Sequence, residues 1–119
     1  MIELSSGRAV FGIAIVETDE LRSRGLIGRE RLAEDAGMAF LWSEDTASAF
    51  HMKDTLIPLT VAFFAADGRI LRMIDMTPCP ADPCPAYDPG LQYRGALEVN
   101  VGALARKGVR VGDRVRIER

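Results

Sequence analysis

One histidine, one tryptophan and two cysteines are all that this 119-residue chain holds of those residue types. The lone histidine, His51, has no partner for a histidine-based zinc site. Cys79 and Cys84 have no second thiol or imidazole pair to complete a metal site either. No apolar run approaches the ~20 residues that a membrane helix needs. Charge of one sign is also lacking: 15 basic residues stand against 17 acidic ones, a net of −2, and the bases are scattered among the acids. That balance leaves no electrostatic footprint for nucleic acid or an acidic membrane. A Gly-rich phosphate loop, a nucleophile elbow, an internal repeat and a linker are all missing. No metal, no cofactor and no nucleic-acid partner is expected. The opening Met1-Ile-Glu-Leu-Ser-Ser-Gly also lacks the basic and apolar regions of a signal peptide. The expectation is therefore either a cytoplasmic protein or a mature exported domain whose leader is not part of this chain.

What is present is an ordinary globular balance, 48% apolar and 27% charged, in a length that suits one domain over residues 1–119. Residues 8–17 (RAVFGIAIVE) are apolar on both parities, which predicts a strand covered on both sides. TDELRSRG then supplies a cap at Thr18, acids in the first turn, bases in the last and a stop at Gly25, the pattern of a two-turn helix. A second turn or short helix is expected around Arg29–Glu34. Strands are expected over 37–42 and, after a polar SEDT break, over 47–52. Leu59–Ala65 and Ile70–Met76 flank an Asp67-Gly68 turn and form the most secure hairpin in the chain. Residues 77–92 hold five of the six prolines and read as an irregular loop. A strand over 94–101, a turn or short helical piece over 102–108 and a final turn and strand over 111–117 complete the pattern. The sum is mainly β: a compact sandwich or jelly-roll-like barrel of short strands with one or two short helices.

Several residues carry possible chemistry. Cys79 and Cys84, with four residues between them in the proline loop, read first as a disulfide, which implies an oxidising compartment. Half a metal site, a redox pair or free thiols are the alternatives. His51 points opposite to Phe50 and Met52 in a strand, as either a partly exposed ring or a ligand contact. Lys53, Asp54 and Thr55 sit where Pro58 forces extended geometry. They make either a plain turn or a binding lip with a cation and a hydroxyl. Tyr87 and Tyr93, with Trp42 and His51, either line a groove or pin the proline loop to the sheet. Glu98 interrupts an apolar strand and needs a partner, for which Lys53, Arg94 and backbone amides are the candidates. Asp54, Asp75 and Glu98 are the acids from which a glycosidase carboxylate pair would have to be drawn.

One set of motifs runs in a single order. It comprises Thr18…Glu20…Arg24-Gly-Leu26, Gly37-Met38-x-Phe40, Met52-Lys53-x-Thr55-x-Ile57-Pro58-Leu59, Met76-x-Pro78-Cys79, Cys84-Pro85-x-Tyr87, Ala96-Leu97-Glu98 and Gly112-Asp113. Together they resemble the domain of unknown function 192 family of bacteria and archaea over roughly residues 8–118. The resemblance implies a β-rich, jelly-roll-like domain, often made with an export signal, whose activity is not established. It also implies tryptophan as the usual residue at position 51, asparagine at 54 and aspartate at 60, where this chain has His51, Asp54 and Thr60. A reaction shared by the family could not then depend on His51, whereas Lys53 belongs to the shared pattern.

These readings converge on a monomeric binding module of the cell envelope. Its face would be made by the 51–55 turn, the 79–93 loop and Glu98, with His51, Lys53, Thr55, Tyr87 and Glu98 as ligand contacts. The partner would be a small molecule or an envelope component. The alternatives are a hydrolase acting on a carbohydrate or other envelope component, and a structural or accessory domain without a site. An enzyme would show a concave pocket where Lys53, Glu98 and His51 converge around a perturbed pKa. A binding module would show a groove of rings and hydroxyls without such a shift.

Overall fold

A computed structural model describes residues 2–4, as backbone, and 9–118; Arg8, where the first expected strand begins, and Arg119 lie outside them. Among the described residues the order is β1 (Ile2–Leu4), β2 (Val10–Val16), α1 (Asp19–Arg24), β3 (Ala36–Thr46), β4 (Phe50–His51), β5 (Leu59–Phe64), β6 (Ile70–Met76), β7 (Ala86–Tyr87), β8 (Tyr93–Asn100), α2 (Ala103–Arg106) and β9 (Val115–Ile117). Seven strands form one sheet in the order β6-β5-β8-β3-β2-β1-β9, and β4 and β7 form a separate two-stranded ribbon. The architecture is mainly β and sandwich-like, as the short apolar segments predict.

Among the described strands only β2 and β3 pair in parallel, and parallel neighbours need a connection that crosses back along the sheet. Residues 17–35 make it, with α1 inside. The Thr18 hydroxyl accepts from the Leu21 amide at 3.2 Å, and Gly25 ends the helix with φ 48°. Both caps are the ones that the TDELRSRG pattern predicts. The Asp67-Gly68 hairpin is also present: the Gly68 amide donates to the Ala65 carbonyl at 2.8 Å, with φ 88°. A side chain at Gly68 would collide with the Val115 carbonyl. That close approach curls the sheet, because the Val115 amide donates to the Gly68 carbonyl and the Ile70 amide to the Asp113 carbonyl, each at 2.8 Å. The β9 end is thereby tied to the opposite edge.

Curling divides the apolar residues between two faces. Phe11, Phe64, Ile70, Leu97, Val99 and Leu104 fill the inside. Phe40, Val61, Phe63 and Ala96 lie on the other face and are covered by Phe50, Met52, Tyr93 and Leu26. Alternation along β8 sends Leu97 and Val99 inward and Ala96 and Glu98 to this second face. With both faces covered, all six residues of β5 are buried.

Four sequence expectations need correction. The polar SEDT segment is not a break: β3 continues to Thr46, with a register shift against β8 between Leu41 and Thr46. An exposed strand end needs no apolar residues, so polarity alone does not mark its limit. The strand expected over 47–52 shrinks to Phe50–His51. The proline loop is not wholly irregular. Ala86 and Tyr87 lie between Pro85 and Pro89, keep their amides, and pair with β4. The first expected strand is not covered on both sides, because Val10, Gly12 and Ala14 of β2 are exposed. Of the turn or short helix expected around Arg29–Glu34, the turn forms, with the Ala36 amide on the Ala33 carbonyl.

Cys79 and Cys84 form the expected disulfide. Among the described residues no cysteine is free, and no group of three or more His, Cys, Asp or Glu could hold a metal. By the chain-entropy estimate so small a ring stabilises the fold by about 2 kcal/mol. Urea unfolding with and without a reducing phosphine should show a loss of that size. An unchanged midpoint would mean that the surrounding hydrogen bonds order the loop without the covalent bond.

Candidate functional site

The registers of β8 against its neighbours place one buried acid between apolar cross-strand partners. Glu98 lies opposite Met38 of β3 and Val61 of β5, and cross-strand partners share a face. Its side chain is 4% exposed. It makes no hydrogen bond or ion pair among the described residues, yet no side-chain nitrogen or oxygen there is sealed from solvent without a partner. The Glu98 carboxyl oxygens therefore open onto a cleft of about 430 Å³ that this residue lines. Burial pushes the carboxyl up to about 8, with no other cause at work. At neutral pH Glu98 is therefore mainly an uncharged acid, able both to donate and to accept.

The cleft walls are aromatic. Phe40 meets Phe50 edge-on at 5.1 Å, and Trp42 meets Phe50 at 6.4 Å and Tyr93 at 5.3 Å. The Tyr93 hydroxyl donates to the Ser48 carbonyl at 2.5 Å, holding the segment before β4 over the sheet. Burial raises the Tyr93 phenol above its usual range, so it remains a donor. Arg22 forms the wall on the α1 side. Its guanidinium donates to the Glu17 and Leu41 carbonyls, both at 2.7 Å, pairs with Asp19 at 2.6 Å, and lies 5.0 Å from the Trp42 ring centre.

The 52–55 turn supplies the opposite rim. Thr55 donates to the Met52 carbonyl at 3.1 Å, and the turn is clamped to Cys79 through Cys79 N to Met52 O at 3.3 Å and Asp54 N to Cys79 O at 3.2 Å. Asp54 sits between them at φ 60°, a left-handed conformation that Asp and Asn tolerate better than other side chains. Thr55, 5% exposed, turns an unpartnered hydroxyl to the cleft by the same argument as Glu98. Lys53 stands at the mouth and extends to Asp82 at 2.6 Å. The Asp82 hydrogen bond and charge hold its ammonium above the usual lysine range. Asp82 lies inside the Cys79–Cys84 ring, so the disulfide carries the partner of a rim cation.

Of the five expected contacts, His51, Lys53, Thr55 and Glu98 line this one cleft. His51 is exposed and paired with Ala86, while Phe50 and Met52 point inward as alternation predicts. Tyr87 does not line the cleft. Its hydroxyl bonds the Thr77 amide at 3.2 Å and pins the proline loop. The expected Lys53–Glu98 pair is not formed: Lys53 is engaged by Asp82, and Arg94, the other candidate, by Asp45 at 3.0 Å. Of the acids from which a carboxylate pair would be drawn, only Glu98 lines the cleft, and neither Asp54 nor Asp75 does. Asp75 bonds Thr60 at 2.7 Å, and Thr60 and Val61 alternate across the sheet, so Asp75 and Glu98 occupy opposite faces. Asp19, Arg22 and Arg24 were missed as site residues. Their charges read as complements to the helix dipole, and only the crossover between β2 and β3 brings that helix beside Trp42.

The profile of the family described as DUF192, Uncharacterized ACR, matches residues 2–117. None of the curated proteins matches. Among solved structures, a candidate transcription regulator from Sinorhizobium meliloti 1021 is similar at 31% identity and a TM-score of 0.87, over 97% of this chain and 90% of the other. A protein of unknown function from Novosphingobium aromaticivorans DSM 12444 is similar at 30% identity and a TM-score of 0.87, over 98% and 83%.

Proposed function

The chain belongs to the domain of unknown function 192 family, and from that premise we propose that it is a small-molecule-binding module of the cell envelope whose site is the Glu98 cleft. The observation that carries this reading is Glu98 itself, a buried carboxyl without a protein partner that faces open space. Such a group costs stability unless something bonds to it. The cleft volume falls within the range of small-molecule sites, and aromatic walls with a few convergent polar groups are their usual lining. The disulfide supports an oxidising compartment. A regulator acting directly on DNA would ask for a basic face. Here acids outnumber bases, and α1, at six residues, is short for a recognition helix.

Amide chemical-shift mapping with a library of small fragments tests the reading. Hits should cluster on residues 48–55 and 97–99 and disappear in Glu98→Leu. Hits scattered over the surface, or none, would remove it.

A second reading is favoured by the carboxyl's rise to about 8, the mark expected of an enzyme. Glu98 would then protonate a leaving group, as a general acid does. The cleft also holds the rings and hydroxyls of a binding module, and the one other acid lining it, Asp19, is fully exposed and paired with Arg22. The binding reading leads because no second unpaired acid lines the cleft, although the shifted carboxyl meets the mark set for an enzyme. Turnover of chromogenic glycosides or esters that Glu98→Gln abolishes would reverse the order.

A further inference from the structure

We infer that the cleft takes a small polyhydroxylated acid, with its hydroxyls on Glu98 and Thr55 and its anionic group at the rim formed by Lys53 and Arg24. This rests on the binding reading above and specifies its ligand.

The deep end of the cleft offers two hydrogen-bonding groups that the protein leaves unused, the Glu98 carboxyl and the Thr55 hydroxyl. A carboxyl that carries its proton suits hydroxyls, which give and accept in turn. It suits an isolated apolar ligand poorly, because the acid would stay unpaired. The rings of Phe40 and Trp42, which also line the cleft, provide apolar surface for the C–H groups of a sugar-like ring.

Charge is distributed differently at the mouth. Three cations, Arg22, Arg24 and Lys53, line the cleft against one exposed acid, Asp19. The acids that pair with the two exposed cations, Glu20 with Arg24 at 3.4 Å and Asp82 with Lys53 at 2.6 Å, do not line it. Exposed pairs of this kind exchange partners at little cost. A ligand anion can therefore take up Lys53 and Arg24 without disturbing Arg22, whose guanidinium is committed to two carbonyls and Asp19. Hydroxyls deep and an anion at the mouth is the order that this lining selects.

Three probes of one size and differing charge test the inference: glucuronate, glucose and glucosamine, titrated into the intact protein at slightly acidic pH and low salt, with amide shifts as readout. Glucuronate should shift the amides of Lys53, Thr55 and Glu98 and bind about tenfold more tightly than glucose, the worth of one charge-assisted hydrogen bond. Lys53→Ala should remove that advantage, so that glucuronate binds no more tightly than glucose. Glucosamine binding as well as glucuronate, or glucose as well as either, would overturn the ligand class. So would silence from all three while fragment hits still cluster on the cleft, and that outcome would leave the binding reading standing. Silence from fragments and sugars together would overturn both.

Discussion

Raising the pH from about 5 to about 9 will remove on the order of 4 kcal/mol of folding stability, and Glu98→Gln will abolish most of that dependence. The sign follows from the direction of the shift. Burial raises the Glu98 carboxyl from an ordinary 4.5 to about 8 in the folded protein. The folded state therefore binds a proton that the unfolded chain releases near 4.5. The stabilisation is complete below 4.5 and is lost progressively as the pH rises through about 8, above which both states are ionised. Urea midpoints of the wild type and Glu98→Gln across this range measure the difference directly. A wild-type profile as flat as that of the variant would show that the carboxylate is well solvated in the cleft, by water or by a cation. Glu98→Leu extends the test. Replacing a buried, unpartnered acid by an apolar side chain of similar size should leave the protein at least as stable at neutral pH. It should also end binding, since the deep hydrogen-bonding group is gone. A substitution that gains stability while losing function is the signature of a residue kept for its chemistry.

Phe63→Ala should cost about 3–5 kcal/mol, as truncation of a fully buried aromatic does. Phe63 stands edge-on to Phe50 at 5.5 Å and to Tyr93 at 4.8 Å, so it supports both the β4 segment and the residue that anchors Ser48. Loss of this ring should lower the urea midpoint sharply and shift the emission of Trp42, which contacts both Phe50 and Tyr93. A loss below about 1 kcal/mol would mean that neighbouring rings collapse into the space and that the wall does not depend on Phe63.

The parts of the fold that were legible in the sequence are those decided within a few residues. The Thr18 cap and the Asp67-Gly68 hairpin each depend on neighbours in the chain, so spacing and residue type were enough, and the same closeness put a Cys79–Cys84 bridge first among its alternatives. The 51–55 turn was legible for the same reason, down to the opposite facing of His51 and Met52. The misreadings arose where a local signal has two causes. SEDT is polar because that end of β3 is exposed, and the prolines at 85 and 89 flank a short strand that they do not prevent.

The sequence alone determined the β class, the local turns and caps, and the presence of an acid in an apolar strand, because these follow from period, spacing and residue chemistry; it ranked the covalent ring first, and the structure closed it. Only the tertiary structure decided where that acid faces. The joint register of β8 on β3 and β5 turns Glu98 toward the second face. The parallel crossover lays α1 and Arg22 along that face, and the disulfide ring brings Asp82 to Lys53 across 29 positions of sequence. Each of these depends on how distant segments align, a relation set by the packing of the whole sheet and carried by no single stretch of the chain.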